Sequence, residues 1–428
     1  MKKHYDIVVV GAGIAGLAIA EIYSRSGRNV LLVEKSNKIA NGSSSQQHGW
    51  FHTGSLYSGS GILQFNKSML GNIDDILCYY RDFKGMNLKV DINGKLKSRN
   101  LTNKWFDENK LIYLYEKAEI NKNKRFKNIW KNSKNFHDIT QQYDWKNGDA
   151  AFYFSKQKKA KSSKFYNKNY LKNNLKINHS NFCQLNSLDR KMNTSIICND
   201  IFNSFYSYGG KVLFNNTLKK YKKKNKKIYL ETSSKNITTD KLILATGFNS
   251  NLLSNKNYYR NPIASPLLVA YPKLHSSNFV FMSENINKTI NHILHNFQDK
   301  EYSVIGGGYS SSIDDEKNKQ KDLINLKNLS ESIFKQYKNS KIKYYFGIKN
   351  EIYLRGKNRN YMYNIIENEK NVYIVNPGKF SLAFSLAVNT FLKTENHYPN
   401  TNININIKNK NVKIKNNLHQ TVLKKIYK

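Results

Sequence analysis

The clearest pattern of apolar and polar positions in this chain lies in its first 34 residues. Tyr5-Asp6-Ile7-Val8-Val9-Val10 is almost continuously apolar, which predicts a strand buried on both faces. It enters Gly11-Ala12-Gly13-Ile14-Ala15-Gly16 and then a helix whose polar positions include Glu21, Arg25 and Arg28. A second apolar run, residues 29–33, predicts a parallel strand ending at Glu34. The same signals return later. Residues 196–208 predict a helix, followed by strands at 211–214, 228–232 and 235–239, the last two as a hairpin. Residues 242–244 predict a buried strand running into Ala245-Thr246-Gly247, and a final unit passes from a strand at 372–375 through a turn at 376–381 into a helix over 382–393. Residues 70–185 mix helical stretches, short strands and a tyrosine-rich connection.

The order strand, glycines, helix, strand, acid has a mechanical reading. Gly11 lets the chain turn tightly off the strand, Gly13 removes a side chain so that backbone N–H groups reach a pyrophosphate, and Gly16 lets the helix approach the sheet. The pyrophosphate then lies at the positive end of the helix dipole, over Ile14 and Ala15. Glu34 stands where a carboxylate accepts both ribose hydroxyls of an adenosine and repels a 2′-phosphate. FAD or NAD therefore fits, and NADP does not. Lys2 and Lys3 ahead of an apolar stretch also resemble a secretory signal. Three glycines inside that stretch and its charged continuation argue against a cleavable segment, and the expectation is a cytoplasmic protein.

Composition changes this picture only in part. Seventy Lys and Arg against thirty Asp and Glu give a formal net charge of +40, which raises nucleic acid or an anionic membrane as partners. The excess is thinly spread. Lys and Asn crowd expected loops at 121–124, 219–227 and 402–415, while there are nine arginines and five prolines, the skew of an AT-rich coding sequence. Compositional drift is the preferred explanation, nucleic acid is disfavoured, and any contact with an anionic membrane or a quinone is expected to be peripheral. No apolar run approaches the roughly 20 residues that span a bilayer. Cys78, Cys183 and Cys198 lack metal spacing and suit a reducing compartment.

Candidate chemistry gathers at small-residue segments. Residues 41–57 are dense in Gly and Ser, which lets backbone pass close to a ligand, and Ala245-Thr246-Gly247 shares that property. Gly378-Lys379-Phe380-Ser381 precedes a helix whose free N–H groups face whatever lies over the turn. Tyr302-Ser303-Val304-Ile305-Gly306-Gly307-Gly308 imitates the first motif without its third glycine or acid, and is expected to be a strand and turn of a second domain. His292 and His295 are poorly spaced for a metal pair, one being expected as a pocket or packing residue, and no metal site is expected. Arg355 and Arg359 are candidates for binding a substrate carboxylate, which guanidinium forks hold bidentately.

Taken in order, the glycine motif with Glu34, the Ser44-Ser45 stretch, Ala245-Thr246-Gly247 and the Pro377-Gly378-Lys379 turn resemble the FAD-dependent oxidoreductases of the D-amino-acid oxidase (DAO) superfamily. The resemblance implies an α/β chain: a Rossmann-like FAD-binding domain of the GR2/DAO type with an inserted α+β substrate domain built on an antiparallel sheet. It places the FAD domain at residues 1–70, 186–262 and 366–394, the substrate domain at 71–185 and 263–365, and a Lys/Asn-rich C-terminal extension at 395–428. FAD would be held by Gly11, Gly13, Ile14, Ala15, Gly16, Glu34, Lys35, Ser44, Ser45, Gly49, Ala245, Thr246 and Gly247, with Gly378, Lys379, Phe380 and Ser381 on the pyrimidine side of the flavin. Residues 49–57 are similar to a segment of L-2-hydroxyglutarate dehydrogenases and oxidases, which would put His52 near the flavin as the base or as a donor to the ring. The serine-asparagine pair that leads into that segment is Gln47-His48 here, and His48 is either a point of covalent flavin attachment or a solvated loop histidine. The implied reaction is hydride transfer to flavin N5 from a small hydroxy acid or amino acid, with His52, Arg355 and Arg359 catalytic and a small carboxylate as partner. Two other readings stand beside it: a flavoenzyme acting on a modified tRNA base side chain, and a non-catalytic flavin-binding protein.

Overall fold

The computed structural model describes residues 3–59, 63–86, 89–90, 96–97, 104–148, 151, 175–177, 181–247, 258–354, 362–401, 403 and 406–427. The strands of the glycine motif and its later echoes assemble into one sheet. Lys3–Val10 lies near its centre, pairing in parallel with Val30–Val33 on one side and Asn236–Leu244 on the other. Lys211–Leu213 continues the sheet beyond Val30–Val33, and Val372–Asn376 beyond Asn236–Leu244. Burial on both faces explains the unbroken apolar run: Ile7 and Val9 pack against helices Ile14–Arg25, Thr194–Ser207 and Ala383–Glu395, while Val8 and Val10 enter a second core with Leu230, Ile237 and Ile366.

Two expectations for this part are corrected. Residues 219–227 are not a loop but most of a hairpin, Leu218–Lys224 against Lys227–Thr232, turning on Asn225 and Lys226 at φ of +48° and +65°. Leu218–Lys224 pairs on one side, and its exposed lysines oppose pairing with another chain, so a strand reads as a polar loop in sequence. The strands predicted at 235–239 and 242–244 are one strand, Asn236–Leu244, whose first half pairs with the hairpin and whose end pairs with Val372–Asn376.

The second sheet has nine strands. Ser311–Ser312, Tyr258–Tyr271, Lys300–Gly307, Ile290–Phe297, Phe279–Met282, Phe106–Glu116, Phe182–Met192 and Trp50–Phe51 follow one another across it, and Lys341–Leu354 also pairs with Tyr258–Tyr271. It is antiparallel as expected except at Phe279–Met282 and Phe106–Glu116, which run in parallel because no hairpin joins them. The glycine-rich imitation of the first motif is the strand Lys300–Gly307 of this sheet.

Sheet membership does not follow the boundaries set from motifs. Residue 70 falls inside helix Leu63–Tyr79, which packs on Ala383–Glu395, and residues 185 and 262 fall inside strands of the second sheet. The C-terminal segment folds back over the body. Ile414 bridges to Ile39, and helix Leu418–Tyr427 lays Val422, Leu423 and Ile426 on Leu267, Val269 and Tyr302. Among the described residues no helix is long and apolar enough to cross a membrane.

Candidate active site

The carboxyl ends of the central parallel strands converge on the first glycine turn. Gly11 N–H donates to Val33 O at 2.8 Å and Ala245 N–H to Val10 O at 2.9 Å. Gly11 has φ of +106°, and a Cβ there would lie 2.5 Å from Ala245 O. A Cβ on Gly16 would lie 1.8 Å from Gly11 O, so the helix approaches the turn as closely as backbone allows. Gly13 is different: its Cβ would meet the Ser44 hydroxyl at 3.3 Å, and that hydroxyl accepts from Ile14 N–H at 3.0 Å. Glu34 is buried, with Oε2 accepting from Ala12 N–H at 2.7 Å and Oε1 from Ser36 N–H at 2.9 Å. The acid is thereby anchored to the turn it serves.

A cavity of about 1640 Å³ opens over these strand ends, with the second sheet as its far wall. That exceeds the roughly 300–1,000 Å³ of a pocket for one drug-sized ligand and leaves room for a dinucleotide and a small substrate together. Of the residues singled out from sequence, Gly11, Gly13, Ile14, Ala15, Glu34, Lys35, Ser44, His52, Ala245, Thr246, Gly247, Gly378, Lys379 and Phe380 line it. Gly16, Ser45, Gly49 and Ser381 do not; they stand behind the wall. Ser45 Oγ–H donates to Gly42 O at 3.1 Å, Ser381 is fully buried, and Gly49, at φ of +84°, backs onto His295, whose Cε1 would lie 2.9 Å from a Cβ there. Arg355 and Arg359 lie outside the described residues.

At the end of the cavity away from Glu34, Trp50 and His52 project from the same side of the short segment that joins the two sheets. Their rings lie 4.4 Å apart at 32°, and Tyr57 lies 5.5 Å beyond His52. Burial, with help from the positive Lys379 and Lys349, holds the His52 imidazole well below its usual range. His48 is not a solvated loop histidine. It lines the cavity, its Nε2 is buried without a hydrogen-bond partner, and burial with Lys349 and Lys379 lowers it to about 3. His292 and His295 point to opposite faces of Ile290–Phe297, as strand geometry requires for i and i+3. His292 bonds Ser277 O and Ser303 Oγ, each at 2.7 Å, while His295 Nε2 lies 2.9 Å from His48 O.

Several lining residues were not singled out from sequence. Lys349 comes from Lys341–Leu354; Lys124, Arg125, Asn128 and Asn132 come from one side of helix Lys124–Gln142; Asn216 to Lys219 flank Glu34. None stands in a recognisable spacing. Gly306, Gly307 and Gly308 also line the cavity, from a strand rather than a phosphate turn. Asp189, fully buried beside His52, was missed because a single acid in a long strand gives no local signal.

Residues 6–109 match the family model of FAD dependent oxidoreductases, DAO. The whole chain is similar in fold to L-proline dehydrogenase from P. horikoshii, with a TM-score of 0.63 and 16% identity over 92% of this chain and 95% of that one. It is likewise similar to L-alpha-glycerophosphate oxidase from Mycoplasma pneumoniae with FAD bound (TM-score 0.64, 13% identity, 95% and 98% covered) and to glycine oxidase from Geobacillus kaustophilus (TM-score 0.59, 11% identity, 94% and 97% covered). No curated protein matches the sequence. The family match is confined to the nucleotide-binding segment and the DAO-type fold extends along the chain; the cofactor named for that family is FAD. The residues present fit that group. The glycines let the turn, the helix and the strand end close on one another with no room for a Cβ at Gly11 or Gly16, and Thr246 Oγ1, buried without a hydrogen-bond partner, lies in the cavity wall beside the turn.

Proposed function

We propose that this flavoprotein oxidises a small anionic hydroxy acid or amino acid at the carbon bearing the hydroxyl or amino group. The observation that carries this reading is a buried, unprotonated imidazole, His52, in a cavity whose described lining residues include Glu34 as their one acid and Lys349, Lys379, Lys124 and Arg125 as cations. FAD, when bound, supplies the hydride acceptor. The first glycine turn would hold its pyrophosphate, Glu34 its adenosine ribose, and Gly378 to Phe380 its pyrimidine side, with Ser44, Lys35 and Ala245 to Gly247 completing the cradle.

The chain's own residues do the rest. His52 is neutral because burial and nearby positive charge disfavour its protonated form, so it can take the proton from substrate oxygen or nitrogen. Lys349 and Lys379 supply positive charge toward a substrate carboxylate, and Arg355 and Arg359 remain the proposed bidentate partners of that group. Trp50 covers one face of His52 and limits water.

The test is anaerobic mixing of the purified flavoprotein with a panel of 2-hydroxy acids and amino acids, following the visible flavin band. Bleaching by one of them, slowed in His52→Gln with the flavin retained, supports the reading. A folded, colourless protein that takes up no added FAD, or bleaching indifferent to His52→Gln, overturns it.

A further inference from the structure

We infer that Asp189 is the positioning residue of His52, holding the groups around the ring and facing its Nδ1 so that Nε2 is the basic nitrogen offered to the cavity. This rests on the reading of His52 as the base. The placement follows from sheet register. Trp50 pairs with Lys191 and Phe51 with Arg190, so continuing the same antiparallel count sets residue 52 across from Asp189. Asp189 is 0% exposed and accepts four hydrogen bonds: from Trp50 Nε1–H at 2.9 Å, Tyr113 O–H at 2.6 Å, Thr53 N–H at 2.8 Å and the Thr53 hydroxyl. Burial raises the Asp189 carboxyl above its usual range, and the hydrogen bonds from Thr53, Tyr113 and Trp50 act against that rise by favouring the ionised form. Its one ion-pair partner within 4 Å among the described residues is His52 Nδ1, at 3.9 Å, a buried atom with no hydrogen bond of its own.

A purely architectural hub would need donors but no titratable neighbour. The nearby lysines, Lys379 and Lys349, oppose protonation of His52, and Tyr57 packs against the ring. Among the described residues, Asp189 is the acid within 4 Å of the His52 ring. In the proposed step the substrate O–H or N–H bond breaks, its proton goes to His52 Nε2, the Nδ1–H stays in place, and Asp189 remains ionised throughout. Trp50 and Thr53, both bound to Asp189, lie on either side of His52 in the chain, so the same carboxylate also limits how the ring can turn.

The experiment reads the imidazole directly, without substrate or turnover. Full-length flavoprotein labelled with 15N-histidine is titrated by NMR, with the His52 signals assigned by their loss in His52→Gln. The neutral ring is expected to carry its proton on Nδ1. Asp189→Asn should lower the His52 titration by about one unit or more. Tyr113→Phe removes one donor and leaves the carboxylate more basic, so it should move the titration upward. Opposite shifts from two changes in one buried cluster are not what general loosening produces. A wild-type ring protonated on Nε2, or a titration unmoved in both variants, overturns the inference. If Asp189→Asn does not fold, the direction of the Tyr113→Phe shift decides alone. Coupling seen by NMR together with bleaching indifferent to His52→Gln would keep the pair and reject only the base role.

Discussion

Gly16 gives the sharpest test of how the nucleotide cradle is built. A methyl group at this position would sit 1.8 Å from Gly11 O, a backbone atom that cannot rotate away. Reaching ordinary contact requires the helix or the turn to retreat by roughly 1.5 Å. Overpacking of this kind costs about 1–3 kcal/mol. The same movement carries the amino end of helix Ile14–Arg25 away from the cavity. Losing one or two charge-assisted hydrogen bonds there, about 1.5–3 kcal/mol each, weakens FAD binding by about ten- to ten-thousandfold. Gly13→Ala is the matched control. Its backbone, at φ of −74° and ψ of 176°, suits any residue, and the added methyl meets only the mobile Ser44 hydroxyl at 3.3 Å. Thermal melting of the apoprotein and titration with FAD, followed by quenching of flavin fluorescence, separate the two effects. Gly16→Ala should lower both Tm and affinity, whereas Gly13→Ala should lower affinity and leave Tm near wild type. A Gly16→Ala protein that melts and binds FAD like wild type would refute the close-approach argument.

Three further outcomes are expected. His52→Gln should retain flavin and lose about 10²–10⁴ in kcat; because the wild-type imidazole lies well below 6.5, kcat/KM should stay flat above about pH 6.5, and an acid limb centred there or higher would contradict the assignment. Asp75 is buried against Ser385, with Lys146 3.9 Å away, and burial raises its carboxyl to about 6. The folded state then holds a proton that the unfolded chain releases, so stability falls as pH rises from about 4 to about 6. Asp75→Asn should flatten that slope and gain roughly 2–3 kcal/mol at pH 7 in urea unfolding. Deleting residues 418–428 removes Val422, Leu423 and Ile426 from the second sheet and His419 Nδ1 from the Tyr302 hydroxyl, 2.7 Å away. A loss of about 5 kcal/mol, read by thermal melting, is expected, and an unchanged Tm would show that the helix is not a structural part of the body.

The amino-terminal unit was legible because its signals are local. A strand buried on both faces must be apolar throughout, a turn with φ of +106° strongly favours glycine, and an acid at the next strand end is a fixed distance along the chain. The strand entering Ala245-Thr246-Gly247 and the late glycine turn were readable for the same reason. The lysine-rich hairpin was not, since an edge strand exposed along most of its length carries no apolar alternation to mark it.

What the sequence alone determined, then, is the glycine-turn end of the cavity, where each requirement falls on neighbours within some thirty residues. Tertiary structure decided the other end. Asp189 comes to His52 from 137 positions away through strand register, Lys349 from nearly 300, and His48 is buried only because strands and a C-terminal helix close around it. A carboxylate or an amine has no preferred neighbours in the chain; its function comes from burial and from which charges face it, and both are created when distant segments pack.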